Sequence, residues 1–484
     1  MFCDSDGLIW ISLWNSNIAV YDPVKKIFHS DKNITDFFKP LYMQVGLVSS
    51  IYEDSHKNIW FCTAERGLMK FNKKTKQLIS FKNNPDDPES ISDDNILCML
   101  EDKSGLIWAG TWKNGLNVFN PNSLLFGHQK HESNKTSTLI NNNVLSFYQH
   151  KEDEVIVATA ASISLFNLNT KEFSEFNLKN TKGDVMSEKS TITSVIKYTD
   201  GSYWFSTNGA GLYRYFPEKS FIKNYSFNAN DTNSLSEQTL SQILLDKNNN
   251  IWISTFNSGL NLYNPKKDNF IRLLNKPGTE LYTQAIASMK ADNSGKIWLN
   301  TGSNGVLILN PDDYSFSDPL KNNSKYNLKQ GVIYNSFCDE NGDVWLGWLG
   351  KLLQINSKTF KVIDHSLNNP ELQLDFLNIV KDNKNNVWIT SQDGIVKYNL
   401  TDKSIKTYKI ADGTQGKEFN YNSSLKLPNG NFLLGGTNGF NYFNPDDIKD
   451  NTIAPGVMLT GFSVLNKPFE LANDIAYTNE ITLT

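Results

Sequence analysis

The sequence predicts an all-β protein made of β-propeller repeats, in which each blade is a four-stranded antiparallel sheet. Three observations support this fold class: an internal repeat of about 48 residues, the lack of any stretch with helical periodicity, and a high aromatic content. Aromatic residues make up 12% of the 484 residues, and 11 of them are Trp. Many short strands packed face to face bury such side chains well.

The repeat begins with an Asp, has a Gly or Asn three residues later, and reaches a strand Trp after three more residues. Asp102, Gly105 and Trp108 form one complete copy. Tyr198 replaces one Asp, and Lys57 replaces one Gly. Four short strands in each copy, without helices between copies, predict one blade per copy. Ten copies share the frame, and their strand Trp or its replacement stands at Trp10, Trp60, Trp108, Ile156, Trp204, Trp252, Trp298, Trp345, Trp388 and Leu433.

The repeat Asp is predicted to form the turn between the first two strands of its blade. Its carboxylate can accept backbone N–H groups across the turn, and the Gly or Asn tolerates a left-handed conformation there. The catalytic carboxylates of glycosidases lie about 5–10 Å apart at one site, whereas these Asp residues recur once per blade. We therefore interpret them as structural.

Ten blades are more than the roughly four to eight of one ring, so the chain needs a division. The most polar stretch between two repeats starts at His128. We predict that residues 1–127 are the last three blades of an incomplete N-terminal propeller, 128–142 a linker, and 143–450 a seven-bladed propeller. Residues 451–484 are predicted to be the truncated start of an Ig-like β-sandwich. No signal peptide is evident, and we expect both ends to be cut from a longer protein.

Composition and motifs exclude several classes of function. The chain has 47 Lys and Arg against 51 Asp and Glu, so it lacks the basic excess of a nucleic-acid-binding protein. No apolar run approaches the roughly 18–20 residues of a membrane span. The sequence has no metalloprotease, nucleophile-elbow, P-loop or dinucleotide motif in a suitable context. The four Cys show no CxxC spacing, and a Cys62–Cys98 bridge stays open. We predict no catalytic residue, no metal site and no cofactor.

Aromatic residues other than the strand Trp indicate where a ligand binds. Trp14, Trp112 and Trp348 follow a strand Trp by three or four residues, and Phe256 holds the same position in its blade. Equivalent loops of successive blades lie on one face of a propeller, where planar aromatic rings can stack on sugar rings. The alternative is that these aromatics only cover the ends of their blades. The predicted ligand-binding residues are Trp14, Glu65, Arg66, Trp112, Lys113, Phe256, Asn257 and Trp348, with Asn15 and Asn208 as further polar candidates.

Two segments carry a resemblance to a known family. The segment Asp102-Lys-Ser-Gly-Leu-Ile-Trp-Ala-Gly-Thr-Trp-Lys-Asn-Gly-Leu116 resembles the two-component-regulator propeller repeat. Ala454–Pro468 is similar to the entry strand of the triple-tyrosine (Y_Y_Y) Ig-like domain. Their order resembles the periplasmic sensor of hybrid two-component systems, which precedes a membrane helix, a histidine kinase and a response regulator.

The resemblance implies a periplasmic, non-catalytic region that recognises an oligosaccharide and controls glycan-utilisation genes through the kinase. It also implies a homodimer formed through the full-length protein, contact with the membrane only through a downstream helix, and no nucleic-acid binding by this region. Signalling would then be a population shift, in which the glycan favours one arrangement of the dimer.

Two other classes remain open. Sialidases and some lyases also use propellers, but sialidase Asp boxes place the Asp two residues before Gly, whereas Asp102 precedes Gly105 by three. A protein-interaction scaffold without a small ligand is the other alternative. Glycan binding would distinguish a sensor from a scaffold, and turnover of the bound sugar would indicate an enzyme.

Overall fold

The all-β prediction is confirmed. The structure, a computed structural model, describes residues 1–14, 17–30, 32–41, 44–85, 90–120, 126–132, 137–176, 178, 182–184, 186, 190–273, 285–302, 305–323, 325–329, 331–448, 463–464 and 467–468. Regular structure in these ranges is β-strand, apart from short 3-10 helices at Pro217–Lys219, Pro370–Leu372, Ile410–Asp412 and Pro445–Asp447. The chain divides into two compact units: residues 1–122 with 449–484 form unit 1, and residues 123–448 form unit 2.

Among the described residues of 1–122, unit 1 contains three antiparallel sheets, and within each sheet the strands are ordered as in the chain. The first comprises β1 (Phe2–Cys3), β2 (Ile9–Leu13), β3 (Asn17–Asp22) and β4 (Ile27–His29); the second β5 (Val48–Glu53), β6 (Asn58–Thr63), β7 (Leu68–Asn72) and β8 (Gln77–Phe81); the third β9 (Ile96–Glu101), β10 (Ile107–Thr111) and β11 (Leu116–Phe119). Beyond residue 448, the described residues form only the strand pair β41 (Ser463–Val464) and β42 (Lys467–Pro468), so the predicted Ig-like start lies almost wholly outside them.

Unit 2 contains seven sheets, which we number blades 1 to 7. Blade 1 comprises β13 (Val144–Lys151), β14 (Glu154–Thr159), β15 (Ile163–Asn167) and β16 (Phe173–Glu175), and blade 2 comprises β18 (Ile192–Lys197), β19 (Tyr203–Thr207), β20 (Leu212–Phe216) and β21 (Phe221–Tyr225), with the edge strand β17 (Lys182–Gly183). Blade 3 comprises β22 (Leu240–Leu245), β23 (Ile251–Thr255), β24 (Leu260–Asn264) and β25 (Asn269–Leu273). Blade 4 comprises β26 (Ile286–Ala291), β27 (Ile297–Thr301), β28 (Val306–Asn310) and β29 (Ser315–Ser317).

Blades 5 to 7 complete the unit. Blade 5 comprises β30 (Ser336–Cys338), β31 (Asp343–Trp348), β32 (Lys351–Asn356) and β33 (Val362–Asp364). Blade 6 comprises β34 (Asn378–Lys381), β35 (Asn386–Ser391), β36 (Gly394–Asn399) and β37 (Ile405–Tyr408). Blade 7 comprises β38 (Phe419–Lys426), β39 (Phe432–Gly436) and β40 (Gly439–Phe443), with β12 (His128–Gln129) as its outer strand. The first strand of each blade contacts that of the next, and β38 contacts β13, so the seven blades close into a ring around a central channel.

The strand β12 corrects the predicted linker 128–142. His128 pairs with Asn441 and Gln129 with Phe440, so the segment before blade 1 becomes the outer strand of blade 7. Phe126 anchors it, because its ring lies 4.7 Å from that of Phe443. Joining the two ends of unit 2 in one sheet removes an open edge and closes the ring. The polar composition of this segment hid its role.

Seven of the eight strand Trp residues form the core between blades, as predicted, whereas Trp108 is half-buried. Trp10, Trp60, Trp204, Trp252, Trp298 and Trp345 are 0% exposed and Trp388 is 1% exposed. Trp298 of blade 4 packs with Ile333, Val344 and Leu346 of blade 5. Where the strand Trp is present and buried, the repeat therefore stabilises the interface between neighbouring blades through one large side chain.

Candidate functional site

In both units, the loop between the second and third strands of a sheet lies beside the start of its first strand. The backbone N–H of Trp112 donates to the carbonyl of Asn95 at 2.9 Å, and that of Phe256 to Thr239 at 3.2 Å. We call these loops the loop face of each unit. Their described residues are 14, 64–67 and 112–115 in unit 1, and 160–162, 208–211, 256–259, 302, 305, 349–350, 392–393 and 437–438 in unit 2.

In several sheets, a Thr at the end of the second strand fixes the shape of this loop. The hydroxyl of Thr111 donates to the carbonyl of Gly115 at 2.9 Å, and Thr255 makes the same bond with Gly259 at 2.9 Å. Gly115 has a φ of 78°, a left-handed conformation that is unfavourable for residues with a Cβ. The residue after the Thr is therefore the first to point away from the sheet, and Trp112 and Phe256 stand there. Trp14 follows the end of its second strand in the same way, although Leu13 replaces the Thr in that sheet.

Five predicted ligand-binding residues lie on the loop face of unit 1, one or two in each sheet. Trp14 is 97% exposed and Trp112 is 66% exposed. Glu65 and Arg66 are exposed on the second sheet, where Nη1 of Arg66 donates to the carbonyl of Gln44 at 2.8 Å. The fifth residue, Lys113, is exposed beside Trp112. Two large exposed aromatic rings with charged neighbours are unusual on a soluble surface and fit a binding role.

The remaining predicted residues lie in unit 2. Phe256 is half-buried, and Asn257 is held by Glu237, whose carboxylate accepts the Asn257 backbone N–H at 2.9 Å and its Nδ2 at 3.0 Å. Asn208 is exposed on the same face of blade 2. Asn15 lies outside the described residues.

Trp348 is a correction, because the structure does not place it on the surface. It is the last residue of β31, is 7% exposed, and packs in the core with Leu353 and Ile333. It follows its strand Trp by three residues, which is the position of the buried Thr in other blades, whereas Trp112 follows by four. The exposed loop position in blade 5 belongs to Leu349, which is 60% exposed.

The sequence prediction missed an aromatic pair at the loop-face mouth of the channel in unit 2. Tyr334 precedes the first strand of blade 5, and Tyr421 lies near the start of β38 in blade 7. Their ring centroids are 5.8 Å apart, and the rings are 41% and 37% exposed. The available signal was the Asn-Tyr-Asn-Ser stretch 420–423, which lengthens the first strand of blade 7.

The repeat Asp residues serve their own turns, as predicted. Oδ1 of Asp102 accepts the backbone N–H groups of Ser104 and Leu106 at 2.8 and 3.0 Å, and Oδ2 accepts Nε1–H of Trp108 at 2.7 Å. Hydrogen bonds from the Ser104 hydroxyl and the Trp108 indole lower the pKa of Asp102 to about 2. These carboxylates are saturated with donors and are unsuited to general acid catalysis.

One further group of carboxylates is already neutralised. Oxygens of Asp4, Asp6 and Glu53 lie within 4.8 Å of one another, and Nζ of Lys73 contacts them at 3.0, 2.6 and 2.8 Å. The Lys73 and Lys57 side chains lower the pKa of Asp6 to about 2. Because an ammonium group occupies the position that a cation would take, we assign this group to the contact between the first two sheets.

The comparisons with known proteins agree with this architecture. Residues 90–113 match the family model described as two component regulator propeller. Residues 90–113 are a two-component regulator propeller repeat. This matched segment contains the Asp102 turn and the exposed Trp112.

A curated relative and two solved structures extend the likeness. Histidine kinase P4 of Formosa agariphila is 36% identical over 133 residues, which are 26% of this chain and 10% of that protein. The extracellular domain of the putative hybrid two component system BT3049 from B. thetaiotaomicron has a TM-score of 0.68 and 22% identity, over 97% of this chain and 60% of that one. That of BT4673 from the same organism has a TM-score of 0.52 and 17% identity, over 99% and 63%.

These matches confirm the propeller fold and the predicted resemblance to two-component systems. The chain spans about a tenth of the curated relative and 60% of the BT3049 domain, so the activities of those whole proteins do not transfer directly. Both solved neighbours are extracellular domains. In the described ranges, no helix of this chain has the length and apolarity needed to cross a bilayer.

Proposed function

We propose that this chain is the extracytoplasmic ligand-sensing region of a hybrid two-component regulator and that it binds an oligosaccharide. The observation that carries the ligand proposal is the exposure of Trp14 and Trp112 on equivalent loops of unit 1. Planar aromatic faces stack on the apolar faces of sugar rings, while Glu65, Arg66 and Lys113 can hydrogen-bond to the hydroxyl groups.

The region binds without catalysing a reaction in this proposal. The repeat carboxylates that precede a strand Trp are each committed to a turn and an indole, and the Asp4, Asp6 and Glu53 group is paired with Lys73. Neither arrangement provides two free carboxyl groups facing one substrate bond, as a glycosidase needs. The likeness to extracellular domains of two-component systems supports a sensor in preference to an enzyme.

Signalling follows from differential affinity. The glycan binds one arrangement of a homodimer of the full-length protein more tightly, and the shifted population is relayed to a histidine kinase that controls glycan-utilisation genes. The periplasm is the compartment that this arrangement requires. A glycan with equal affinity for both arrangements would bind without signalling.

Titration of an oligosaccharide panel against Trp14→Ala and Trp112→Ala tests the ligand proposal. Both substitutions are expected to weaken binding at least about tenfold, since each removes one stacking ring, and to leave the melting temperature nearly unchanged because the rings are exposed. Phe28→Ala is the matched control, since Phe28 is 47% exposed on the outer strand β4 and away from the loop face. Equal binding by all three variants would contradict the proposed site, and loss of fold in Trp112→Ala would show a structural role.

A further inference from the structure

We propose that the channel mouth of unit 2 is a second saccharide subsite, in which Tyr334 and Tyr421 stack on one neutral sugar ring. The inference rests on the proposed function for the ligand being a saccharide. It adds a binding place in the ring of seven blades that the loop-face candidates do not include.

The two tyrosines span the mouth of the channel. Tyr334 belongs to blade 5 and Tyr421 to blade 7, which are separated by blade 6 in the ring. Their centroids are 5.8 Å apart with an interplanar angle of 33°, and roughly two fifths of each side chain is exposed. Two tilted rings that are partly open to solvent at the axis of the ring form a platform for a flat, partly apolar ligand.

An enlarged bulge in β38 carries Tyr421 over the mouth. Phe419 pairs with Gly436 and Ser424 with Leu434, so the four residues 420–423 face the single residue Gly435. The first strand of blade 2 has a smaller irregularity, in which only Thr193 is extra. Gly435 permits this bulge, since a Cβ at that position would lie 2.1 Å from the Ser423 hydroxyl.

Asn422 ties the bulge to the opposite side of the ring. Its Nδ2 donates to the carbonyl of Ala287 in blade 4 at 3.0 Å, and blades 4 and 7 are not neighbours, so this bond crosses the channel. Asn422 has a φ of 59°, a left-handed conformation that Asn adopts more readily than other residues with a Cβ. Its Oδ1 is buried and accepts no hydrogen bond from the described residues. A buried acceptor without a partner in the described residues is unusual in a folded protein and is expected where a ligand supplies the missing donor.

A chain of amide side chains holds the platform in place. Asn335, next to Tyr334, donates to Asn378 at 3.1 Å, and Asn378 donates to the carbonyl of Asn420 at 2.7 Å. Asn420, next to Tyr421, donates to Asn143 of blade 1 at 2.7 Å. Both tyrosines are thus adjacent to residues fixed by side-chain hydrogen bonds, which preorganises the pair for binding.

The chemistry of this mouth favours an uncharged ligand. The contacts that build it come from phenol rings, amides and backbone carbonyls, and none of them involves a charged side chain. Burial, with a smaller contribution from Tyr334, raises the pKa of Tyr421, so its hydroxyl stays protonated at neutral pH. A neutral hexose or pentose ring can stack there and exchange hydrogen bonds with phenol and amide groups.

The test uses the whole chain with four hexasaccharides. Three are neutral and consist of α-1,4-linked glucose, β-1,4-linked xylose or β-1,3-linked glucose, and the fourth is acidic and consists of α-1,4-linked galacturonate. Affinities are measured by calorimetry for the unaltered chain and for Tyr334→Ala, Tyr421→Ala, Tyr421→Phe and Trp112→Ala. Tyr314→Ala is the matched control, because Tyr314 is 43% exposed on the turn between the third and fourth strands of blade 4, at the opposite face. Hydrogen exchange of the unaltered chain with and without sugar provides a readout that does not depend on the variants folding.

We expect a neutral hexasaccharide to bind, and we expect Tyr334→Ala and Tyr421→Ala each to lower the affinity for it about five- to tenfold. Tyr421→Phe and Tyr314→Ala should change this affinity less than about threefold. Added sugar should slow exchange at residues 331–335 and 419–424. Loss of binding in Trp112→Ala with full binding in both Tyr→Ala variants, or protection confined to unit 1, overturns this inference and leaves the proposed function standing. If the acidic galacturonate hexasaccharide binds and none of the neutral ones does, the inference is likewise overturned and the proposed function stands. If no hexasaccharide binds, the proposed function fails and the inference fails with it.

Discussion

Nε1–H of Trp252 donates to Oδ2 of Asp246 at 2.8 Å, and both side chains are buried. The other oxygen of Asp246 accepts the backbone N–H groups of Asn248 and Asn250 at 2.8 Å each. One carboxylate therefore shapes the turn and satisfies the indole that fills the space between blades. Six further pairs repeat this bond at 2.7 to 3.0 Å, at Trp10, Trp60, Trp108, Trp298, Trp345 and Trp388.

Asp246→Ala is expected to lower the free energy of unfolding by about 3 kcal/mol, measured by urea denaturation. The change leaves the buried Nε1–H of Trp252 unpaired and removes two turn hydrogen bonds. Asp153→Ala is the matched control in blade 1, where Ile156 replaces the strand Trp and Asp153 is exposed, and it should cost less than about 0.5 kcal/mol. Equal losses in the two variants would refute the coupling of turn and indole.

Lys57→Gly is expected to raise the free energy of unfolding by about 0.5–1 kcal/mol. Lys57 has a φ of 65° at the turn position that other blades fill with Gly or Asn, and a side chain with a Cβ is unfavourable there. Its ion pair with Asp6 at 2.9 Å is exposed on both sides and contributes less. Lys57→Ala keeps the Cβ and should show no gain, so a gain as large as that of Lys57→Gly would rule out backbone strain as the cause.

Trp348→Ala is expected to lower the free energy of unfolding by about 3–5 kcal/mol, because it opens a cavity in the core between blades. Leu349→Ala, one residue later and 60% exposed, should change it by less than about 0.5 kcal/mol. Thermal unfolding monitored by circular dichroism checks both. A stable Trp348→Ala protein with reduced sugar binding would instead restore Trp348 as a ligand-binding residue.

His365 is expected to make unit 2 less stable in acid. Burial lowers the pKa of His365 to about 4, helped by Lys403, and the ring stacks on Trp345 at 4.9 Å. The unfolded chain binds the proton near pH 6.5, whereas the folded one does not, so stability falls as the pH falls from 6.5 towards 4. Melting temperatures of His365→Gln should fall less than those of the unaltered chain between pH 7.5 and 4.5. Parallel falls would show that other groups cause the acid sensitivity.

Most of the fold could be predicted from the sequence because of the repeat. Asp, Gly and Trp at fixed spacing are local signals, and each forms the turn and core contact that its chemistry requires, as Asp102 and Trp108 do. The outer strand β12 was missed because its partner lies more than 300 residues away, and nothing in the polar segment near His128 marks a strand.

The candidate site was predictable only in part. The exposure of Trp14 and Trp112 could be predicted, because each lies four residues after its strand Trp, which is the loop position of the repeat. Trp348 was misplaced because a difference of one residue in that spacing turns the side chain from the loop into the core. The Tyr334–Tyr421 pair depends on the closure of the ring, so it could not be derived from the spacing of the repeats.

Isothermal titration of an oligosaccharide panel against this chain, with analysis of the sugars afterwards, tests the central claim most directly. We predict that at least one oligosaccharide binds with a dissociation constant in the micromolar range, which corresponds to a binding free energy on the order of −8 kcal/mol. The sugar should be recovered intact. Binding should weaken in Trp112→Ala while the melting temperature is kept. No binding across the panel would contradict a saccharide sensor, and cleavage of the bound sugar would show that the chain is an enzyme.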